Sequence, residues 1–405
     1  MKNKKNQKII VTIFTMTAIL SPLLNMYGIS EKYHTFTFRE VAMLLILMIC
    51  TLFSFVKRGR SKNTSIWFYS YIVVVILSML INASTGDSES VLRVIRYLLI
   101  LFFVFIFSEK YFNSKLGFKV YEALVIFASI FLITQVIAAN YFGIEIKGYL
   151  SFIPTRSINL RKANGLLRFY SIFEEPGYYG MIMSGYLIIG FRNHKMTVLK
   201  LILVSAASLL STATTSIVLL IFTLVLFYSS NLLVNHSIRK KHIGIVNKKK
   251  SRIILAITLV LLVFIVFTVT PQFEFVLNRL EDGHSANSRF GDNIRFLENF
   301  NKYDFFKILF GNGMNEYPIN GFIAILVSYG ILGFLIFSLM MINFFRKTNG
   351  TGRLLLLLFL FINIANVEVF GNASTIILFF PFIINGIRNK NQNRKEDQNE
   401  ICIVM

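Results

Sequence analysis

The chain has 405 residues, of which 55% are hydrophobic and only 15% are charged, and its mean hydropathy is +0.63. Soluble globular proteins carry about 25% charged residues, so this composition excludes a water-soluble fold and predicts an all-α integral membrane protein with one polytopic domain over residues 1–405. The formal net charge is +22, and its distribution along the chain, described below, explains it without a nucleic-acid partner.

Apolar stretches between polar breaks predict about twelve transmembrane helices, because a helical span needs about 20 mostly apolar residues. The first stretch lacks a small-residue cleavage site and is interpreted as a retained anchor. The sequence is compatible with eleven or twelve spans. The predicted spans are 9–28, 36–56, 65–82, 91–108, 120–140, 177–191, 197–211, 214–234, 253–270, 319–344, 354–367 and 373–387.

The connections between these spans differ in charge. Assigning alternate connections to the cytoplasm places 28 of the 42 Lys and Arg residues there and 15 of the 20 acids on the other side. Cytoplasmic loops hold the excess of Lys and Arg, so both termini are predicted to be cytoplasmic. The basic loop 235–252 and the tail 388–405 then lie inside, and the two long segments 141–176 and 271–318 lie outside.

Few charged residues fall within the predicted spans. Four lie at predicted outer ends, and Glu122 lies near a cytoplasmic end, where snorkelling explains it. No charge lies at mid-membrane depth, which disfavours an ion-coupled transporter with a site at the midplane. The four outer residues are Arg39, Glu40, Arg93 and Arg96.

The first external segment concentrates cations on the side where loops are normally poor in them. Two adjacent acids and Pro176 follow, and the proline suits the first turn of a helix. Carboxylates are also favoured in the first helical turn by the helix dipole, so capping is the alternative explanation for the acids. The candidate residues are Arg156, Arg161, Lys162, Arg168, Glu174 and Glu175.

The second external segment contains an amphipathic pattern. Between residues 288 and 301 apolar side chains recur at helical spacing, which predicts a helix lying on the membrane surface. Its candidate site residues are Arg289 and Arg295, although either could form an ordinary surface ion pair. His284 with Asp282 gives too few ligands for a metal site. Neither external segment carries an Asp-x-Asp pair, a Walker loop or a zinc spacing, so no metal and no cofactor is predicted.

Three motifs together resemble the bacterial O-antigen and capsular polysaccharide polymerase (Wzy) and O-antigen ligase superfamily. The resemblance covers about residues 141–345. It rests on RFYSIFEEPGYYG at 168–180, LLSTATTS at 209–216 and GNGMNEYPINGFIAILVSYGILGF at 311–334. The family's F-x-E-P element matches Phe173, Glu175 and Pro176. Its glycine turn and G-x-x-G helix match Gly311, Gly313, Asn320, Phe322, Gly330 and Gly333.

The resemblance implies glycosyl transfer between polyprenyl-diphosphate-linked oligosaccharides at the outer face of the bacterial cytoplasmic membrane, with a flippase and a chain-length regulator as pathway partners. Ile319 precedes Asn320 where ligases usually carry His, and no arginine follows the Thr/Ser-rich span end. Both departures favour a polymerase over a ligase.

The charge pattern fits this donor, because a polyprenyl chain in lipid needs a cationic outer rim for its diphosphate. Glu175, Arg168 and Arg289 are the predicted catalytic residues. Glu175 is the candidate base, and the arginines meet the charge that develops on the leaving group. The predicted substrate-binding residues are Arg156, Arg161, Lys162, Glu174, Arg295, His284 and Asn320. A flippase or other transporter, a ligase-like transferase and a non-enzymatic scaffold remain as alternatives.

Overall fold

The computed structural model describes residues 2–28, 37–56, 66–82, 88–150, 153–155, 162–163, 166–167, 169–238, 284–314, 320–365 and 374–388, and the structural statements below concern these residues. Almost all of them are helical, and the predicted span 253–270 lies outside them. The helices are α1 Lys2–Asn25, α2 Phe38–Val56, α3 Ile66–Asn82, α4 Ser88–Leu101, α5 Ser108–Tyr111, α6 Ser114–Phe142, α7 Pro176–Arg192, α8 Val198–Leu210, α9 Thr214–Ile238, α10 His284–Phe300, α11 Phe305–Phe310, α12 Gly321–Lys347, α13 Gly350–Ala365 and α14 Ser374–Arg388.

Among the described residues, a π-helical turn and a pair of short strands accompany the α-helices. A π-helical turn, Phe102–Phe107, joins α4 to α5, so the chain stays helical from Ser88 to Tyr111. Two short strands, β1 Lys162–Ala163 and β2 Leu166–Leu167, pair antiparallel in the first external segment.

Within the described residues, four helical segments are long and apolar enough to cross a membrane. They are Asn6–Asn25, Glu89–Tyr111, Ser114–Phe142 and Gly321–Lys347. Shorter apolar helices accompany them at Ile66–Asn82, Val198–Leu210, Thr214–Ser229, Gly350–Ile364 and Ser374–Arg388. The chain is therefore an all-α membrane protein.

The chain divides into two compact units. The first unit comprises residues 1–117 and 285–405, and the second comprises residues 118–284. Three buried tyrosines mark the core of the first unit: the Tyr71 and Tyr97 hydroxyls lie 3.1 Å apart, and the ring of Tyr329 stacks on Tyr97. In the second unit α7 packs along α9, and the Tyr179 hydroxyl lies 2.7 Å from Ser129 Oγ of α6.

Helix α12 is interrupted at Gly330, where φ is +68° and ψ is −171°. The sequence predicts one continuous helix here, but this backbone conformation is open to glycine alone. The turn 311–314 docks at the interruption: Asn312 N–H donates to the Val327 carbonyl at 2.9 Å, and Gly313 N–H donates to the Ser328 carbonyl at 3.0 Å. The Val327 and Ser328 carbonyls thus accept hydrogen bonds from the turn where the helix is interrupted. Backbone polar groups inside a membrane need such partners.

Gly330→Ala is expected to destabilise the first unit by about 2–3 kcal/mol. An added Cβ would meet the Leu309 backbone carbonyl, which has no side-chain freedom to move away. The measurement is the thermal unfolding midpoint of the purified protein in detergent. Gly291→Ala in α10 is the control, since nothing lies within 4 Å of its added Cβ; alanine should be neutral or favourable there. Equal midpoints for the two variants would contradict the prediction.

Candidate functional site

The candidate site in the second unit is built on a segment that folds back along α6. Residues 169–173 are all buried, although the sequence places them in an external loop. Ser171 Oγ donates to the Ala128 carbonyl at 2.6 Å, and Ala128 lies about 20 Å along α6 from the end of that helix. The loop therefore descends beside the helix rather than lying across its end.

Gln135 of α6 connects this descending segment to an earlier part of the same loop. Its side-chain amide donates to the Ile146 carbonyl at 2.9 Å, and its carbonyl accepts the Ser171 N–H at 2.9 Å. Ser171 adopts a left-handed conformation with φ of +58°, which a non-glycine residue holds only when its surroundings impose it. Tyr170 accepts a hydrogen bond from the Gly148 N–H, and burial raises the pKa of Tyr170.

The segment delivers Glu175 to the start of α7 as its N-cap residue, with Pro176 in the first turn. Sequence reasoning offers helix capping as the alternative to function for this residue. The Glu175 side chain makes no capping hydrogen bond. It is exposed and, among the described residues, forms no ion pair. The start of α7 thus fixes the backbone of Glu175, while the carboxylate oxygens stay available to a substrate.

The start of α7 touches the start of α9, so two of the three motif segments meet. Ser216 Oγ donates to the Pro176 carbonyl at 3.2 Å. Gly180 lies directly against the Ser216 backbone, whereas Gly177 faces Thr215 at an ordinary distance of 3.9 Å from its added Cβ. Small residues at these positions allow two helices to approach closely, as is common within membranes.

Gly180→Ala is expected to cost about 1–3 kcal/mol, because its Cβ would overlap the Ser216 Cα and force α7 and α9 apart. Gly177→Ala, three residues earlier in the same helix, should change the stability by less than about 1 kcal/mol. Thermal unfolding of both variants in detergent tests the difference. If Gly180→Ala unfolds no earlier than Gly177→Ala, the close helix contact is not a determinant of stability.

Glu174, next to Glu175 in the sequence, is half-buried. Apart from Asn320, described below, the other predicted site residues fall into three groups. Arg156, Arg161 and Arg168 lie outside the described residues. Lys162 belongs to strand β1, paired opposite Leu167. The helix predicted between residues 288 and 301 is present as α10, which begins at His284, contains Arg289 and leaves the Arg295 side chain exposed. Its position on the membrane surface stays a prediction.

Asn320 is occupied by structural contacts. Its side-chain oxygen caps α12 by accepting the N–H groups of Phe322 and Ile323, and its amide donates to the Ile364 carbonyl at 2.7 Å. Its own N–H donates to Asn293 Oδ1 of α10 at 3.2 Å, which fixes α10 to the start of α12. The substrate-binding role of Asn320 stays a prediction.

The first unit contains a buried charged cluster that sequence reasoning did not include in the site. One oxygen of Glu40 accepts hydrogen bonds from Arg39 Nε at 2.9 Å, Arg39 Nη2 at 2.6 Å and Arg96 Nε at 2.9 Å. The other oxygen accepts the Thr37 N–H at 2.8 Å and the Thr37 hydroxyl. The signal was present, because these charges lie inside apolar segments, where ionisable residues are functional candidates by default.

No three His, Cys, Asp and Glu side chains of the described part of the chain lie together in a way that could hold a metal ion. No protein-family model matches the chain, and no curated protein matches its sequence.

Proposed function

We propose that this chain is a membrane-embedded polysaccharide polymerase that joins polyprenyl-diphosphate-linked oligosaccharide repeat units, supplying a capsule, O-antigen or exopolysaccharide. The observation that carries the proposal is the state of Glu175. Its carboxylate stands at a fixed helix start, exposed and without a capping bond, directly after the arginine-rich segment. A carboxylate available in this way can accept a proton from a substrate hydroxyl.

The proposal places the reaction at the outer face of the bacterial cytoplasmic membrane. It includes twelve spans with both termini in the cytoplasm, so that segments 141–176 and 271–318 face outward. The excess of Lys and Arg in the alternate connections supports this orientation. The partners are the lipid bilayer, the flippase that delivers the repeat units and a chain-length regulator.

In the proposed reaction, a hydroxyl oxygen of the acceptor unit attacks the anomeric carbon of the donor unit. A new carbon–oxygen bond forms while the bond from that carbon to the diphosphate oxygen breaks, and polyprenyl diphosphate leaves with the electron pair. Glu175 takes the hydroxyl proton. Arg168 meets the charge on the departing diphosphate, since guanidinium groups bind phosphate oxygens in bidentate geometry. Diphosphate is a good leaving group, so this reaction needs no general acid.

A strain lacking this chain provides the test. Its lipid-linked oligosaccharides should accumulate as single repeat units at the outer face of the membrane, because delivery continues while joining stops. Mass spectrometry of the lipid fraction gives the size of the lipid-linked units. Adding a glycan-cleaving enzyme to intact spheroplasts shows whether the units lie at the outer face, where the enzyme can reach them. Normal polymer in that strain would contradict the proposal. A ligase-like activity would instead leave full-length polymer on the lipid.

A lipid-linked oligosaccharide flippase is the second candidate, and the interruption of α12 at Gly330 favours it. Transporter sites are often built at discontinuous membrane helices. Loss of a flippase strands single repeat units at the cytoplasmic face, so the same spheroplast experiment separates the two functions.

A further inference from the structure

Among the residues that the structure describes, the buried charged cluster of the first unit contains one carboxylate, Glu40, and two guanidinium groups, those of Arg39 and Arg96. Glu40 already accepts five hydrogen bonds from Thr37, Arg39 and Arg96, so its oxygens are fully used. The side chains of Arg39 and Glu40 are completely buried, and the side chain of Arg96 is 8% exposed. Buried charges are normally compensated, because an uncompensated charge is costly away from water.

Within the described part of the cluster, Arg96 has hydrogen-bond donors that it does not use. A guanidinium group has five N–H donors. Arg96 Nε donates to Glu40, and Arg96 Nη2 makes one long bond of 3.4 Å to Asn25 Oδ1. Within the described part of the chain, Nη1 takes part in no hydrogen bond or ion pair. The Arg96 side chain is 8% exposed, so part of it reaches the molecular surface.

Arg93 lies one helical turn before Arg96, on the same side of α4. Its Nη2 is 3.1 Å from Glu89, and its Nη1 makes a long bond of 3.5 Å to the Met314 carbonyl. Its side chain is 21% exposed. Each of the two guanidinium groups thus makes a long hydrogen bond to a neutral oxygen. Phosphate oxygens are stronger acceptors for guanidinium N–H groups than neutral oxygens are.

The neighbouring surface suits the rest of a lipid. After Glu40 in the sequence, one side of α2 exposes apolar side chains at helical spacing, a surface suited to acyl chains. These side chains are Val41, Leu44, Leu45, Met48 and Leu52.

We propose that Arg93 and Arg96 bind the phosphate group of an anionic phospholipid, whose acyl chains lie along α2. The phosphate supplies a hydrogen-bond acceptor for Arg96 Nη1. This site does not depend on the proposed glycosyl transfer, so its test succeeds or fails independently.

The experiment uses the full chain, delipidated in detergent, with dioleoylphosphatidylglycerol as the probe. Native mass spectrometry counts the bound lipid and gives its apparent Kd. Arg96→Met is expected to raise that Kd about tenfold, which corresponds to one charge-assisted hydrogen bond of about 1.4 kcal/mol. Arg93→Met should raise it several-fold. Arg353→Met is the control, since it removes an exposed cation elsewhere in the first unit and should leave the Kd unchanged.

Arg96→Lys serves as a second variant if Arg96→Met yields little folded protein. Lysine can still pair with Glu40 but lacks the fork, so binding should again weaken. Dioleoylglycerol and inorganic phosphate distinguish the sources of the ligand. Equal binding of dioleoylglycerol, which has no phosphate, overturns the site. Full displacement of the lipid by millimolar inorganic phosphate overturns the assignment to a lipid. An unchanged Kd in the Arg96 variants also overturns the proposed site.

Discussion

Glu40→Ala is expected to destabilise the first unit by about 3–5 kcal/mol, the usual cost of breaking a buried ion pair by removing one partner. The substitution leaves Arg39 and Arg96 facing each other without their shared carboxylate. The amount of monodisperse protein after extraction, and its unfolding midpoint in detergent, should both fall sharply.

Glu89→Ala is the matched control, because it also removes an acid that pairs with an arginine of α4. The Glu89 side chain is 52% exposed, and such surface pairs contribute only about 0–1 kcal/mol. A triple variant, Arg39→Met with Glu40→Leu and Arg96→Met, should recover much of the stability, since apolar residues can replace a buried ionic cluster. If Glu40→Ala behaves like Glu89→Ala, the cluster does not stabilise the unit.

Glu175→Gln is expected to reduce polymerisation about 10²–10⁴-fold, the range for loss of a general base, or about 3–5 kcal/mol of transition-state stabilisation. The amide keeps the shape of the side chain but cannot take the hydroxyl proton. Polymer length on gels and the rate of repeat-unit consumption in membranes are the measurements. Arg168→Ala should reduce both in the same way by weakening contact with the leaving diphosphate.

Glu145→Gln controls for the loss of a charge in the same external segment, because Glu145 is exposed and has no assigned role. All three variants must first be shown to be inserted and abundant. Polymer of normal length from Glu175→Gln and Arg168→Ala would show that the site has been placed on the wrong residues.

The sequence predicted the positions of the helices well. Predicted span 65–82 is helix Ile66–Asn82, and predicted span 177–191 is helix Pro176–Arg192. Hydropathy measures transfer into lipid residue by residue, so it locates helices without knowledge of their neighbours. Glu122, expected to snorkel, instead pairs with Lys200, a partner that hydropathy does not identify.

The parts that escaped prediction depend on contacts between distant residues. The descent of residues 169–173 requires Gln135 to bind Ser171, 36 positions away. The interruption of α12 requires the turn 311–314 to supply donors at Gly330, although the motif had suggested an unbroken G-x-x-G helix. The sequence identified the acids and glycines as candidate positions, but it did not identify the residues that contact them.

The bond between Glu40 and Arg96 spans 56 positions of the chain, which sets an order for biogenesis. At a rate of about 5–20 residues per second, the ribosome adds Arg96 roughly 3–11 s after Glu40. During that delay Arg39 and Glu40, adjacent in the chain, can already pair with each other. The extra cation arrives only with α4, when the partner that receives it is already in place.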